Sequence, residues 1–351
     1  MAENPLTEPV IIWGAGAIGG TIGAYWARAG VPVLLVDRAA DHVEACRMHG
    51  LRIEGPIETF TQAVSAVVPG ELTGAYGRII LAVKAHQTAD ALVALKPHLR
   101  QDGYVLSAQN GLNEIAIAES IGSERTIGCF VNFGADWLEP GRILYGNRGA
   151  VVVGEIDGRT RDRTSKMFDL LKRFDPDVVL TEDIWSYLWG KLVYGAMLFG
   201  TALTADSMAA NFVDPKRKPA WLVLGREVVS VAHARGVKPR GFGEFEPEAF
   251  AAGAPESDAD RVIEWLADYT SKTAKTHSGI YRDLAVRRRK TEADAQIGII
   301  GDLAREQGIP TPALDHLVTL IHEVEEGRRQ LSFDTLNELI ATCKTASTTV
   351  L

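Results

Sequence analysis

The sequence predicts an α/β fold in which a doubly wound, mostly parallel sheet fills the N-terminal half and an all-α C-terminal domain follows. Three observations carry that expectation. A strand, a glycine turn, a helix and a second strand open the chain; apolar β-rich runs then alternate with helical segments; and after about residue 182 the pattern is helical throughout.

Val10 to Trp13 is a short apolar run that ends in Gly14-Ala15-Gly16-Ala17-Ile18-Gly19-Gly20. The apolar periodicity of Thr21 to Ala29 predicts a helix stopped at Gly30, and the β-branched run Val31 to Val36 predicts a second strand ending at Asp37. These are the proportions of a βαβ unit. Further strands are expected at Arg78–Val83, Tyr104–Ser107, Thr126–Phe133, Gly149–Gly154 and Val178–Thr181, with helices at Thr88–Leu99 and Glu114–Ile121. Near-continuous apolar strands mean a sheet covered on both faces. The first domain is drawn over residues 1–182 and the second over 183–351. In the second, helices are expected over roughly 184–205, 219–235, 259–277, 279–307, 311–326 and 332–341, with a Gly/Pro-rich loop from Gly236 to Pro255.

Composition narrows the function. With 46% hydrophobic and 23% charged residues, the 351-residue chain has ordinary globular composition. A net charge of -8 offers no basic field for nucleic acid or an anionic membrane, so neither partner is expected. The basic run Arg287-Arg288-Arg289-Lys290 stands alone and reads as a helix, either a solvated face or a rim that steers an anionic substrate. The apolar run Leu188 to Ala205 approaches a membrane span in length, but Lys191 interrupts it and it reads as a buried helix. Cys46, Cys129 and Cys343 give neither a disulfide framework nor a metal pair, and His322-Glu323 lacks the second histidine of a zinc helix, so no metal is expected. The start, Met1-Ala2-Glu3-Asn4-Pro5, has no signal-peptide pattern, which makes the cytoplasm the expected location.

Gly14-x-Gly16-x-x-Gly19 alone is a weak signal. It gains force from lying between a strand and a helix, with an acidic residue at the end of the next strand. Gly14 permits the tight turn, Gly16 lets the backbone approach a diphosphate, and Gly19 lets the helix pack close to the strand. The diphosphate then meets the unpaired N–H groups of the helix start around Ala17 and Ile18. This is the Rossmann pattern for a dinucleotide. Asp37 lies 18 residues after Gly19, placed to accept hydrogen bonds from ribose hydroxyls and to repel a 2′-phosphate. Arg38 beside it could greet that phosphate; Asp37 is weighed more heavily, which points to NAD in preference to NADP.

Three further segments extend the pattern: Val83-Lys84-Ala85-His86-Gln87-Thr88, Ser107-Ala108-Gln109-Asn110-Gly111 and Leu188-Trp189-Gly190-Lys191-Leu192. With the glycine turn and Arg289-Lys290-Thr291-Glu292, they give five short motifs whose order and spacing, over nearly the whole chain, resemble the 2-dehydropantoate 2-reductase (ketopantoate reductase) family. The resemblance implies reversible hydride transfer between C4 of a nicotinamide and a carbonyl carbon, usually of a 2-keto acid. It places Lys84, with Gln87 of the same motif, beside the cofactor and Asn110 near nicotinamide and substrate. It makes Lys191 the general acid, and gives Glu292 a hydrogen bond in the substrate site and a part in holding that lysine. A homodimer through the helical domain is also implied. The chemistry fits these roles, because ketone reduction needs a donor for the growing alkoxide, and a partly desolvated lysine supplies one. The active site is then expected at the C-terminal ends of the parallel strands, in a cleft between the domains.

The departures from the family lie in the substrate site. Where ketopantoate reductases carry asparagines four and eight residues after the lysine, this chain has Gly195 and Phe199. In place of a polar Asn/Ser segment and a Met-Leu-Gln-Asp-like stretch stands Thr276-His277-Ser278-Gly279-Ile280-Tyr281-Arg282-Asp283, with one extra residue before Thr291-Glu292. Ser278 is the candidate carboxylate ligand there, assisted by His277 or Arg282. The expected substrate is therefore not ketopantoate but a bulkier or less polar 2-hydroxy acid, or a related carbinol. NAD would suit its oxidation. The alternatives are an NADPH-dependent 2-dehydropantoate 2-reductase, a β-hydroxyacid dehydrogenase, and a non-catalytic NAD(H)-sensing Rossmann protein. The last would need no positioned acid.

Overall fold

The structure, a computed structural model, describes residues 8–273 and 275–349; the opening Met1 to Pro5, read above for a leader, lies outside them. The chain falls into two units, Met1–Ile184 and Trp185–Leu351.

The first unit runs β1 (Val10–Trp13), α1 (Ala17–Arg28), β2 (Val33–Val36), α2 (Ala40–His49), β3 (Leu51–Glu54), β4 (Phe60–Gln62) and β5 (Ser65–Val67). It continues with β6 (Tyr76–Leu81), α3 (Thr88–Leu95), β7 (Leu99–Ser107), α4 (Asn113–Ile121), β8 (Thr126–Val131), β9 (Gly134–Glu139), β10 (Arg142–Asn147), β11 (Val151–Glu155), α5 (Asp162–Leu171) and β12 (Val179–Leu180). The main sheet has the order β12-β11-β8-β7-β6-β1-β2-β5. Its pairs are parallel except β8 with β11. This is a mixed, mostly parallel Rossmann sheet, as the alternating pattern predicts. Side chains alternate strictly across it: Val10 and Ile12 enter the core on one face, Ile11 and Trp13 the core on the other. Both faces are buried, which is why these strands read as continuous apolar runs.

A second sheet, β4-β3-β10-β9, was not anticipated. It covers α1 from the side away from the main sheet, with Ile53, Ile143 and Tyr145 in the same core as Ile12, Ala24 and Trp26. A helix packed between two sheets has little room for side chains. A Cβ on Gly20 would collide with Ile143, and one on Gly23 would lie 2.8 Å from Leu35 Cδ2. The glycine content of α1 beyond the phosphate turn therefore has a packing cause.

The second unit is helical: α6 (Ile184–Thr201), α7 (Met208–Val213), α8 (Lys218–Ala234), α9 (Glu256–Ser271), α10 (Gly279–Tyr281), α11 (Ile299–Glu306), α12 (Pro312–Glu325) and α13 (Phe333–Thr349). α8 is lined with buried side chains from Ala220 to Ala232, and Glu227 on it accepts Ala313 N at 3.0 Å and Leu314 N at 2.8 Å, capping the start of α12.

The expected single helix over 279–307 is broken. Two π-helical turns, Arg282–Val286 and Asp294–Gly298, flank a non-helical stretch that contains Arg287-Arg288-Arg289-Lys290. The basic run is thus not a helix face. Asp283 accepts from Arg287 Nη1 and Arg289 Nε, both at 3.0 Å, which curls the chain back on itself, and Arg288 takes a positive φ of 48°. Thr291 N then donates to Glu325 on α12 at 2.7 Å.

Candidate functional site

The turn after β1 is held shut on one side and open on the other. Gly14 has φ 98°, and a Cβ there would lie 2.7 Å from Val83 N. A Cβ on Gly19 would meet Gly14 O and, at 2.8 Å, Ile12 Cγ2, so only glycine lets α1 approach β1 this closely. At Gly16 a Cβ would meet nothing within 4 Å among the described residues. The outer side of the turn is open beside the first N–H groups of α1, around Ala17 and Ile18, whose first turn carries no acidic residue. That is the space and polarity a dinucleotide diphosphate requires.

Asp37, at the end of β2, already has structural work. Its Oδ2 accepts from Ala15 N in the glycine turn at 2.8 Å, and its Oδ1 accepts from Ala39 N at 2.9 Å. Each oxygen keeps a further lone pair for a ribose hydroxyl. Arg38 is exposed and has no partner among the described residues. A second anchor, not anticipated from the sequence, is His42 on α2. Gly141 N donates to its Nδ1 at 3.0 Å, so the proton sits on Nε2, which donates to Ala15 O at 2.9 Å. Asp37 and His42 thus hold the backbone N–H and C=O of Ala15, in the two peptide groups that flank its Cα.

Lys84 and Gln87 lie on the turn after β6; Lys84 is exposed, and its carbonyl accepts from Gln87 N at 2.8 Å. Asn110 is half-buried in the turn after β7, beside Gly111 with φ 97°. A buried chain of hydrogen bonds joins these two turns. Gln109 Nε2 donates to Val83 O at 2.9 Å and to Thr88 Oγ1 at 2.8 Å; Thr88 Oγ1 donates to Asn113 Oδ1 at 2.8 Å; Asn113 Nδ2 donates to Asn110 O at 2.7 Å. Gln109 and Thr88 belong to the motif segments, but their signal was read for the residues beside them.

Glu114, one residue further, is fully buried, and among the described residues neither carboxyl oxygen has a partner in hydrogen-bond geometry. Burial pushes its pKa up to about 7, against the opposing pull of its own backbone N–H and of the Ser107 hydroxyl.

In the second unit, Lys191 is half-buried on α6 among the buried Leu188, Trp189, Leu192 and Val193. Gly190 before it has a steric cause. The Arg240 backbone crosses α6 there, its N donating to Ser186 O at 2.8 Å, and a Cβ on Gly190 would collide with the Arg240 carbonyl. Gly195, one turn after Lys191, is half-buried, and among the described residues outside α6's own neighbouring backbone a Cβ there would meet only Gln296 Oε1, at 3.9 Å. Phe199 corrects the sequence reading. It is 0% exposed and belongs to the core of this unit, so it does not line open space. Eight residues on an α-helix is a rotation of about 80°, while seven is about 20°. Leu198 is accordingly the half-buried residue sharing the Lys191 and Gly195 face. Glu292 is buried at 7% exposure, and its carbonyl accepts from Gln296 N at 2.9 Å.

The structure gives the candidate carboxylate ligands local duties. Ser278 is buried and its Oγ accepts from Tyr281 N at 3.1 Å, capping α10. His277 Nε2 lies 3.0 Å from Ala205 O, an acceptor only, so Nε2 carries the proton and Nδ1 accepts from Thr276 Oγ1 at 2.9 Å. Both ring nitrogens are engaged, and the ring stacks on Tyr281. Arg282 is half-buried. Among the described residues no group of His, Cys, Asp and Glu is placed to hold a metal ion, and no helix is long and apolar enough to cross a membrane.

The sheet, the glycine turn open at Gly16 and the strand-end carboxylate define a dinucleotide-binding protein of the Rossmann class. Comparison with known proteins makes the assignment specific. Residues 10–158 match the model of ketopantoate reductase PanE/ApbA, and residues 183–325 that of the ketopantoate reductase PanE/ApbA C terminal. A 2-dehydropantoate 2-reductase of Pyrococcus abyssi is 34% identical over 86% of this chain and 93% of its own. Another, of Mesorhizobium japonicum, is 28% identical over 91% of this chain and 98% of its own. A solved structure of D-mandelate dehydrogenase with NADH and anilino(oxo)acetate superposes with TM-score 0.78 at 24% identity, covering 91% of this chain and 99% of that one. At that identity the likeness is one of fold. The chain belongs to the ketopantoate reductase PanE/ApbA family, and it is an NAD(P)-dependent oxidoreductase acting on CH–OH groups.

Proposed function

We propose that the chain interconverts a 2-hydroxy acid, or a related secondary alcohol, with the corresponding ketone, prefers NAD, and does not take ketopantoate as its substrate. The observation that carries this reading is the open face of α6. Lys191 stands there one turn from Gly195, where the sequence has a glycine instead of a polar side chain, and Leu198 supplies an apolar wall. The gap at Gly195 leaves room for a side group larger than that of a small keto acid, with Leu198 as its apolar contact.

When bound, the nicotinamide supplies or accepts the hydride at C4. The chain's residues do the rest. Gly14, Gly16, Gly19 and the N–H groups near Ala17 and Ile18 hold the diphosphate; Asp37 accepts the ribose hydroxyls; Lys84 and Gln87 line the cofactor side. Lys191 Nζ delivers a proton to the carbonyl oxygen on reduction and removes it from the hydroxyl on oxidation, with Asn110 donating to the same oxygen. Glu292 orients the ammonium. Ser278, with His277 or Arg282, meets the substrate carboxylate. Homodimerisation through the helical unit and a cytoplasmic location complete the proposal.

Arg38 favours a second reading, NADPH-dependent reduction of ketopantoate, because its side chain is exposed beside Asp37. Parallel steady-state assays decide between them, using ketopantoate, phenylglyoxylate and branched 2-keto acids with NADH and with NADPH. The proposal expects kcat/KM for a bulky keto acid with NADH to exceed that for ketopantoate with NADPH by at least about tenfold. The reverse order would replace it with the second reading.

A further inference from the structure

Gln296 has a combination of properties that packing alone does not explain. It is only 9% exposed, and no described residue hydrogen-bonds its carboxamide. Its carboxamide atoms are not among the enclosed polar atoms that lack a partner, so the stem of the side chain is buried while its tip reaches open space, where water or a ligand meets it. Its position says which space it meets. Apart from α6's own neighbouring backbone, its Oε1 is the one atom of the described residues within 4 Å of a Cβ built on Gly195, so the carboxamide looks onto the gap that Gly195 leaves in the Lys191 face of α6. Gln296 also stands in the π-helical turn Asp294–Gly298, whose wider winding re-aims side chains relative to an α-helix. Its own N–H is tied to Glu292 O at 2.9 Å, one turn back.

We propose that Gln296 is a specificity-determining residue, which hydrogen-bonds a hydroxyl, carbonyl or amide group carried on the bulky side group of the substrate. Gly195 makes the room, Leu198 packs against the apolar body of that side group, and Gln296 reads its polar tip. The preferred substrate is then a 2-keto or 2-hydroxy acid with a large, polar-tipped side group. This rests on the reading of the chain as a 2-hydroxy acid dehydrogenase and names the substrate class within it. A site built to hydrogen-bond a substituent rejects the analogue that lacks it more strongly than an apolar pocket rejects an extra group.

The test uses the full-length enzyme with NADH and three probes of one size class: phenylglyoxylate and its 3-hydroxy and 4-hydroxy derivatives. The wild type should favour one hydroxylated probe over phenylglyoxylate by about tenfold or more in kcat/KM. Gln296→Met, similar in length but unable to hydrogen-bond, should bring that ratio close to one while changing kcat/KM for phenylglyoxylate about twofold or less. Gly195→Asn should depress all three probes. NADH affinity, followed by fluorescence, should be the same in wild type and Gln296→Met, which reports that the variant is folded. A ratio that Gln296→Met leaves unchanged, or wild-type indifference to the hydroxyl, overturns the role of Gln296 alone. Absence of turnover with every 2-keto acid overturns this inference together with the function on which it rests.

Discussion

Glu114 is the residue whose surroundings are hardest to reconcile with a charged side chain. It lies in the first turn of α4 and is 0% exposed, and neither carboxyl oxygen has a partner in hydrogen-bond geometry among the described residues. Burial raises its pKa from 4.5 to about 7. Glu227 is likewise pushed up to about 7 by burial, although the N–H groups of Ala313 and Leu314 oppose the shift. The sign follows from linkage. In the unfolded chain these carboxyls ionise near 4.5, in the folded protein near 7, so between those values the folded state binds more protons. Stability therefore falls as pH rises from about 4.5 to about 7 and levels off above. Glu114 contributes at most about 3 kcal/mol of that fall. Urea unfolding at pH 5 and pH 8 should give a smaller loss in Glu114→Gln than in the wild type, with the remaining slope owed to Glu227. An identical loss in both proteins would mean that Glu114 does not titrate in this window.

At the scale of elements, α6 is positioned by one backbone crossing. The Arg240 strand of loop passes so close that residue 190 must lack a side chain, and the crossing sits next to Lys191. Gly190→Ala forces the loop or the helix to move, and should lower unfolding free energy by about 2 kcal/mol, as overpacking typically does. Chemical denaturation measures this; an unchanged midpoint would show that the crossing tolerates a methyl group. Elements also mark the limits of sequence reading. The periodicity of α6 and of the first βαβ unit was plain, because each buries a continuous apolar pattern. The break at Arg287–Glu292 was not, since arginine and lysine are good helix formers and the chain leaves the helix only because Asp283 gathers Arg287 and Arg289 and Glu325 takes Thr291 N. The sheet β4-β3-β10-β9 was hidden for a related reason: Arg52, Ile53 and Glu54 pair with Arg142, Ile143 and Leu144, almost a hundred residues away, and no local pattern records that pairing.

For the whole molecule, the motif residues divide between the units. The first carries Gly14, Gly16, Gly19, Asp37, Lys84 and Asn110; the second carries Lys191, Gly195, Glu292 and the polar segment about Ser278. The turn glycines were legible because each has a geometric necessity. Phe199, eight residues after Lys191, turns about 80° from the lysine face into the core, and the aim of Gln296 depends on a π-turn that no local pattern in the sequence records. In the proposed reaction Lys191 is the proton donor, so that residue bears the decisive measurement. Lys191→Ala should retain NADH binding, read by fluorescence titration, while kcat for the best 2-keto acid falls by a factor of roughly 10² to 10⁴, as loss of a general acid does. Turnover within a few-fold of the wild type, with NADH binding intact, would contradict the account.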